Sequence, residues 1–598
     1  MNITPNRLTI AQLFATPNEQ FLVPSYQRRY AWGHQQFLAL FEDVDMLKEN
    51  DGHLFGMIIL HTSYHTGGLN QPELVDGQQR MTTLVILLKA VGDAYRAKGR
   101  SDKADEIEKM IMCEGLDEVR KPKIRLGDLD NADIESLLLH NDPTIVSNLN
   151  IREAYTNYVT KLLALDVDKL SRFFFKLTNV AVIIRLDVGL AQDAYKLFET
   201  INNRGLRLTP TDIIKNFFLG HAAKINEKNV LEKVKDLWSQ IILNLDGIDT
   251  DDFLRHFMCS QLHRKITMSM LVYEFKRFYL KTIVHAELLG EYEYYQADYD
   301  IENDEEESSE KVSDIEDHET ETTARKIDII SFLSLLRNLS AVYRSVAFAK
   351  FENVKINRRI SNLNNILSKP SYIFLMHFLQ ENIHTVKEKL DVLRFIETLM
   401  LRRHICERRT NLNDTIFSRM IPLVGNPGVL GSIKAIVEEL EAMPPDNEFV
   451  ESFPKHEFKG RLVDRAKYVL ESVEYYKRGN TEELIMSSAA EVELEHIIPQ
   501  TISTKKSKDE FGDWQEYLGE NSLVKHRKFV NLIGNMTLLG ESLNIQAYNN
   551  PFAKKKNSYR RSSFLISQEL ADQGDFRFSH VTKRADELVV MALEIWKL

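Results

Sequence analysis

Residues 298–319 read DYDIENDEEESSEKVSDIEDHE, with Lys311 as their only base. Such a run repels itself and carries too little apolar side chain to join a core. The sequence therefore predicts a solvated, disordered insert near 296–323, with folded chain on both sides. At 598 residues the chain also exceeds what one hydrophobic core can serve, so several domains are expected.

Before the insert the pattern is mixed. HLFGMIILHT (53–62) reads as a buried strand, and PELVDG (72–77) as a second strand ending in a turn. TTLVILLKAVGDAYRAKG (82–99) has helical apolar spacing, with Thr82 or Thr83 as its cap and Gly99 as its stop. NVAVIIRLDV (179–188) is a strand and AQDAYKLFETINNRG (191–205) the helix after it. From 210 to 290 and from 325 to 405 helical spacing dominates. The last part joins helices such as RLVDRAKYVLESVEYYKRG to short strands around His496 and LIGNMTLLG. The expected fold class is multidomain α+β and mostly helical, with an α/β domain over 1–220, a helical connector over 221–410 and a mixed domain over 411–598.

Cys113, Cys259 and Cys406 lie far apart with no CxxC pair. That spacing argues against a disulfide framework and a cysteine-based zinc site, and suits a reducing compartment. No basic-then-apolar leader opens the chain, and apolar runs such as MIIL are too short to span a bilayer, so a cytoplasmic protein without a membrane partner is expected. Net charge is −11, which disfavours nucleic acid on average. Between 501 and 561, however, eleven Lys and Arg face six acids. A local basic surface of this kind suits a polyanion, and a solvated lysine-rich face explains it equally well.

Three stretches stand out in the first domain: VPSYQRRYAW (23–32), VDGQQRMTTL (75–84) and LFETINNRGLRLTPTDIIKN (197–216). In the second, a strand ends, Asp76–Gly77 turns, and Gln78, Gln79 and Arg80 stand before a helix. Free backbone N–H groups at a helix terminus, with its dipole, favour a phosphate. Arg80 could grip that phosphate and the two amides could read a base or sugar. By spacing alone an ordinary capped loop-to-helix junction is the favoured reading, because this is no Walker-type loop.

Together the three stretches resemble the ParB/sulfiredoxin-like amino-terminal domain of the GmrSD family of modification-dependent (type IV) restriction enzymes. They carry its tyrosine–glutamine–arginine segment (Tyr26 to Arg28), its DGQQR motif (Asp76 to Arg80), and its F-E-x-x-N-x-R-G element (Phe198 to Gly205) followed by Asp212 to Asn216. The resemblance implies a sensor domain with a nucleoside triphosphate site, for ATP, GTP or UTP. Its expected residues are Asp76, Gly77, Gln78, Gln79, Arg80, Thr82, Thr83, Arg204 and Lys215. Arg28, Tyr30 and Trp32 would meet DNA, the aromatic rings of Tyr26, Tyr30 and Trp32 offering stacking faces unless they are core.

VELEHIIPQ (492–500) places Glu495 beside His496, LIGNMTLLG carries Asn535, and ESLNIQAYNNPFAKKK carries Asn544. One imidazole and one hard divalent cation on oxygen ligands can activate water at a phosphodiester. Neighbours on a strand point to opposite faces, so Glu495 and His496 share a site only if the strand end bends. A structural histidine is the usual reading of a lone E-H-x-x-P. The ordered set, E-H-I-x-P-Q then G-N-[LM]-T-L-L then asparagine, resembles the ββα-metal (HNH) nuclease domain of GmrSD-type proteins. By that resemblance His496 is the general base, Asn535 braces and orients it, and Glu495 and Asn544 hold Mg²⁺ or Mn²⁺. Asn549 or Asn550 could take the place of Asn544. Lys554, Lys555, Lys556, Arg560 and Arg561 would hold the DNA backbone. LRRHICERRTNLNDTIF (401–417) offers Arg402, Arg403, His404, Arg408 and Arg409 as a second phosphate-binding face, or as a helix end favoured by the dipole.

The expected protein is a nucleotide-regulated, metal-dependent endonuclease that cuts double-stranded phage or foreign DNA carrying modified bases such as glucosylated hydroxymethylcytosine, with a homodimer controlled by nucleotide. The alternatives are a nuclease that senses phosphorothioate DNA, a non-catalytic DNA-binding regulator, and an RNA-cleaving toxin.

Overall fold

Residues 81–91 are apolar all round a helical wheel except for Thr82, Thr83 and Lys89, and a helix of that kind has to be enclosed. In the computed structural model it is. Helix α1 (Gln78–Ala97) is buried continuously from Met81 to Gly92, and Lys89 meets its interior position through Asp93 Oδ1 at 2.8 Å and Asn141 Oδ1 at 2.6 Å. The structure describes residues 3–48, 53–62, 65–66, 68–202, 209–225, 227, 229–289, 326–380, 384–479 and 492–597. The acidic insert, Arg204 and Gly205 lie outside the described residues.

Beside α1 stands a six-stranded mixed sheet. Its strands are β1 (Ile3–Thr9), β2 (Phe21–Leu22), β3 (His53–His61), β4 (Glu73–Asp76), β5 (Ile124–Arg125) and β6 (Ala181–Val188), in the order β1-β6-β3-β4-β2-β5. β6 runs parallel to β3, with Ile184 opposite Met57 and Val188 opposite His61, and β4 is antiparallel to β3. The β6 strand starts at Ala181, two residues later than its pattern suggests, because Lys176–Val180 complete a π-helical turn. Helices α2 (Ala191–Asn202), α3 (Pro210–Lys224) and α4 (Val230–Asn244) follow. Thr209 caps α3, its hydroxyl accepting from Asp212 N at 3.2 Å, with Pro210 in the first turn.

The chain divides into two units, Met1–Leu254 with Thr267–Ala341, and Arg255–Ile266 with Val342–Leu598. The stretch 221–410, expected as a connector, is thus shared between them. Residues 255–266 are bonded into the second unit: Arg255 Nη1 meets Asp414 Oδ2 at 2.6 Å, His256 Nδ1 lies 2.9 Å from Tyr343 Oη, and Ser260 Oγ lies 2.9 Å from His377 Nε2.

In the second unit, α5 (Val386–Ile405) carries Arg402 and Arg403 inward, which removes them from the expected phosphate-binding face. Arg402 donates to Trp596 O and Pro444 O, and Arg403 to Asn413 Oδ1, Ala442 O and Arg409 O. His404 is interior as well, its imidazole pushed down to about 3 by burial, and Arg408 Nε pairs with Glu448 at 2.8 Å. Further along, β7 (Val492–His496) pairs antiparallel with β8 (Met536–Gly540). Helices α6 (Val463–Lys477), α7 (Ser522–Phe529), α8 (Glu541–Ala547), α9 (Phe552–Arg561) and α10 (Phe578–Ile595) surround them. The strand pair followed at once by α8 packs on a core that includes Ile497, Ile498, Trp514, Leu539, Phe552, Tyr559 and Val581. Among the described residues, no helix is long and apolar enough to cross a membrane.

Candidate functional site

In the first unit the three motifs meet at one end of α1. Asp76 ends β4, Gly77 adopts φ +90°, and the helix begins at Gln78. A Cβ on Gly77 would lie 2.5 Å from Ile58 Cγ2, so the turn needs glycine for both its backbone and its space. The start lies four residues before the one expected. Thr82 and Thr83 therefore do not cap; their hydroxyls donate back to Gln78 O (2.9 Å) and Gln79 O (2.7 Å) inside the helix. Gly77 offers no side-chain acceptor to the first-turn N–H groups, which a helix leaves without intrahelical partners.

That end lines a cleft of about 410 Å³, its open mouth included, with Gln27, Arg28, Arg29, Gln78, Thr82 and Gly127–Asp130 around it. Arg28 is exposed, and Gln78 Oε1 is buried without a hydrogen-bond partner. Gln79 is not free to read a ligand, because Oε1 accepts from Ala31 N (2.8 Å) and Trp32 N (3.2 Å) while Nε2 donates to Arg29 O (3.0 Å). Gln79 instead pins the loop that carries the arginines. Tyr30 is core, its hydroxyl 2.9 Å from Thr83 Oγ1, which removes it as a stacking face. Tyr26 is likewise buried, on Glu73, and Trp32 packs partly against the core. Arg80 turns to the sheet, donating to Met57 O at 2.7 Å, with burial pulling its guanidinium down against Asp76. That position does not suit the phosphate grip expected of it.

Lys215 is buried, with Nζ 2.5 Å from Gln27 Oε1 and 3.2 Å from Asp212 Oδ1. Burial pushes its ammonium down; Asp212 opposes this and Arg28 adds to it. Asp212 stays below the usual carboxylate range because Lys215 and Arg28 outweigh its burial. The motif around Asp212 thus supports the Tyr26-Gln27-Arg28 loop. Sequence reasoning missed the opposite wall. Asp130 accepts from Arg29 Nε (2.8 Å) and Tyr30 N (2.7 Å), Asp246 holds Arg29 Nη1 at 3.1 Å, and Leu243 closes the cleft. The turn sequence Gly127-Asp128-Leu129-Asp130 was the available signal.

In the second unit His496 ends β7 with its ladder intact, paired to Met536. No bend carries Glu495 round to the histidine's side. Gln500 Nε2 lies 3.3 Å from His496 Nε2; an amide nitrogen only donates, so the imidazole nitrogen accepts. Burial, with Lys555 and His526 nearby, pushes His496 down to about 4, leaving a neutral base at neutral pH. The main chain after it is gripped by side chains. Asn535, fully buried, donates from Nδ2 to Ile498 O (3.0 Å) and accepts at Oδ1 from Ile498 N (2.8 Å). His526 Nε2 lies 2.7 Å from Pro499 O. From α10, Arg584 Nη1 donates to Gly534 O (3.1 Å) and Met536 O (2.5 Å), on either side of Asn535.

Glu495 points inward, where Oε1 accepts from Lys555 Nζ (2.6 Å) and Tyr559 Oη (3.1 Å). Burial raises its carboxyl, and Lys555 and Tyr559 act against that. With that oxygen engaged on the far face of the strand, Glu495 does not fit the metal-ligand role expected of it. Asn544 does fit. It lies on α8, which packs on β7, and its Oδ1 is buried with no hydrogen-bond partner, a hard oxygen donor of the kind Mg²⁺ or Mn²⁺ takes. Asn550 spends its amide on Gln546 O, and Asn549 O accepts from Trp514 Nε1. Of the basic set, Lys554, Arg560 and Arg561 are exposed, with Arg561 Nη1 on Gln546 Oε1 at 3.1 Å. Lys556 bonds Gln573 O at 2.7 Å. Lys555 is fully buried, which takes it out of any DNA-contacting surface. Three residues after Phe552 and four before Tyr559, it falls on the inner stripe of α9.

Residues 10–219 match the family model described as GmrSD restriction endonuclease, N-terminal domain, and residues 443–591 match the one described as GmrSD restriction endonucleases, C-terminal domain. Most of the cleft lining and the histidine site thus fall within these two matched regions, which together span more than half of the chain. No curated protein matches the chain. The chain belongs to the GmrSD restriction endonuclease family. Leu243, which lines the cleft, and Asp246, which holds Arg29, lie outside the first match.

Proposed function

We propose that this protein is a type IV restriction endonuclease that hydrolyses double-stranded DNA carrying modified bases, through an HNH-type site on its second unit and under nucleotide control from the cleft on its first. One observation carries the nuclease reading: a neutral imidazole at the end of β7, held by Gln500, with Asn544 on the adjoining helix presenting a buried, unpartnered carbonyl oxygen. Once water displaces the long Gln500 contact on His496 Nε2, that nitrogen accepts the proton of the attacking water. Asn535 and His526 keep residues 497–499 in place so that the imidazole does not drift. Asn544 would hold a divalent cation, which when bound supplies charge stabilisation at the phosphate and leaving oxygen. Lys554, Arg560 and Arg561 meet the DNA backbone.

At the cleft, the open first turn of α1 and Arg28 suit phosphate groups, and Gln78 Oε1 suits a donor on the base or sugar. Nucleotide occupancy then sets whether the nuclease acts, and a homodimer would provide two sites for two strands.

The test is cleavage, with Mg²⁺ or Mn²⁺ and with or without nucleotide, of DNA carrying glucosylated hydroxymethylcytosine beside the same sequence unmodified. Cutting of the modified DNA alone supports the reading, and His496→Ala should then lower the rate by about 10²–10⁴-fold with DNA binding retained. Equal cutting of both removes the modified-base target. No cutting of either, or of phosphorothioate DNA, points to the non-catalytic regulator.

A further inference from the structure

Three neighbouring lysines, 554 to 556, stand in the most basic stretch of the chain, and the middle one is enclosed. Lys555 Nζ lies 2.6 Å from Glu495 Oε1 and 2.7 Å from the main-chain oxygen of His496. Both residues are almost wholly buried. We propose that Lys555 is a positioning residue for DNA cleavage, fixing the peptide of His496 from the interior with Glu495 as its counter-ion. The proposal rests on the nuclease reading of the same site.

The acceptors that the lysine takes decide its role. Enclosing an ammonium is costly unless it is paired and hydrogen-bonded, and an apolar pair of similar volume usually does as well for stability alone. Stability thus gives no reason for a lysine here. What an apolar residue cannot supply is a donor to His496 O. That carbonyl belongs to the residue whose imidazole is to act on water, at the point where the ladder ends and the chain turns away. Beyond it, Ile498 is fastened by Asn535 and Pro499 by His526. Lys555 supplies the grip at the first residue of this run. The N–H of the same peptide is held by Asn535 O, 2.9 Å from Ile497 N. Loss of Lys555 therefore leaves the 496–497 peptide tied on one side only and able to tilt, and an ångström of error at a reacting group can cost about 10²-fold in rate. Tyr559, bonded to the same carboxylate oxygen, keeps Glu495 in place to receive the lysine.

The test compares Lys555→Met with the double variant Glu495→Leu/Lys555→Met in the full chain. The single variant leaves a buried carboxylate without its counter-ion and should melt early; the double variant removes that charge and should recover most of the thermal stability. With the fold restored, kcat should stay down by about 10-fold or more, KM for DNA should stay at the parental value, and amide exchange over residues 496–498 should remain fast. Return of kcat with stability would make Lys555 a purely structural residue. A rise in KM at unchanged kcat would return it to the DNA-contacting set. Either result overturns the proposal. If the parental chain cuts no DNA, the nuclease reading fails separately, and amide exchange still decides: unchanged protection at 496–498 in the double variant would show that Lys555 does not hold that segment.

Discussion

Lys235 Nζ sits 2.9 Å from Glu73 Oε2 in the interior of the first unit. This pair ties α4 to β4, the strand that runs into Asp76 and Gly77, and Tyr26 bonds the other oxygen of the same carboxylate. The cleft is thus fastened from behind to a helix beyond its own motifs, and again at its rim through Arg29 and Asp246.

Removing one partner of such a pair leaves an uncompensated charge. Lys235→Met is expected to lower the unfolding free energy by about 3–5 kcal/mol, read from urea denaturation. A loss below about 1 kcal/mol would show that water reaches Glu73.

At Gly77 any side chain is opposed twice, by φ +90° and by Ile58. Gly77→Ala should destabilise by about 1–2 kcal/mol and shift the first turn of α1. Nucleotide binding by calorimetry should weaken more than stability does. Parental affinity would show that the ligand does not use that helix terminus.

Asn544→Ala removes the unpartnered carbonyl oxygen. The Mg²⁺ concentration needed for half-maximal cleavage is expected to rise about 10-fold or more, while Asn550→Ala, whose Nδ2 donates to Gln546 O, should change it little. Equal effects at the two positions would argue against a cation on Asn544.

The second unit holds His377 and His456 pushed down to about 4 and His404 to about 3, each by burial. A histidine whose folded pKa lies below its unfolded value of about 6.5 takes up its proton first in the unfolded chain. Stability from these groups is therefore complete above about pH 6.5 and falls as pH drops towards 4, by up to about 1.4 kcal/mol per pH unit per group. Melting temperatures across that window should show the fall, and His456→Phe should flatten it. A melting temperature constant from pH 7 to 4 would mean that these imidazoles are not enclosed.

Much of this was readable from residue order. The strand at 53–61, the turn at Asp76–Gly77 and the histidine at a strand end all stand where the pattern puts them. Polarity misled in two ways. Gln79 looks like a free amide in DGQQR, yet helical geometry turns it under the loop at 29–32, while Gln78 beside it faces the cleft. Lys555 looks like one lysine in a basic run, although its phase with Phe552 and Tyr559 is that of a core position. Thr82 looked like a cap because threonine is a good one, but a left-handed glycine started the helix a turn earlier. The acids that hold Arg29, Asp130 and Asp246, come from elsewhere in the chain, and only folding brings them to the motifs.

Residues 255–266 complete the interior of a unit whose remaining chain begins at Val342. A gene cut at that point would encode His496, Asn535 and Asn544 without the partners of Asp414, Tyr343 and His377. On the ribosome the early segment must wait, unsatisfied, until that later half emerges. The second unit is therefore not a detachable part: a simple truncation at Val342 strips it of residues 255–266.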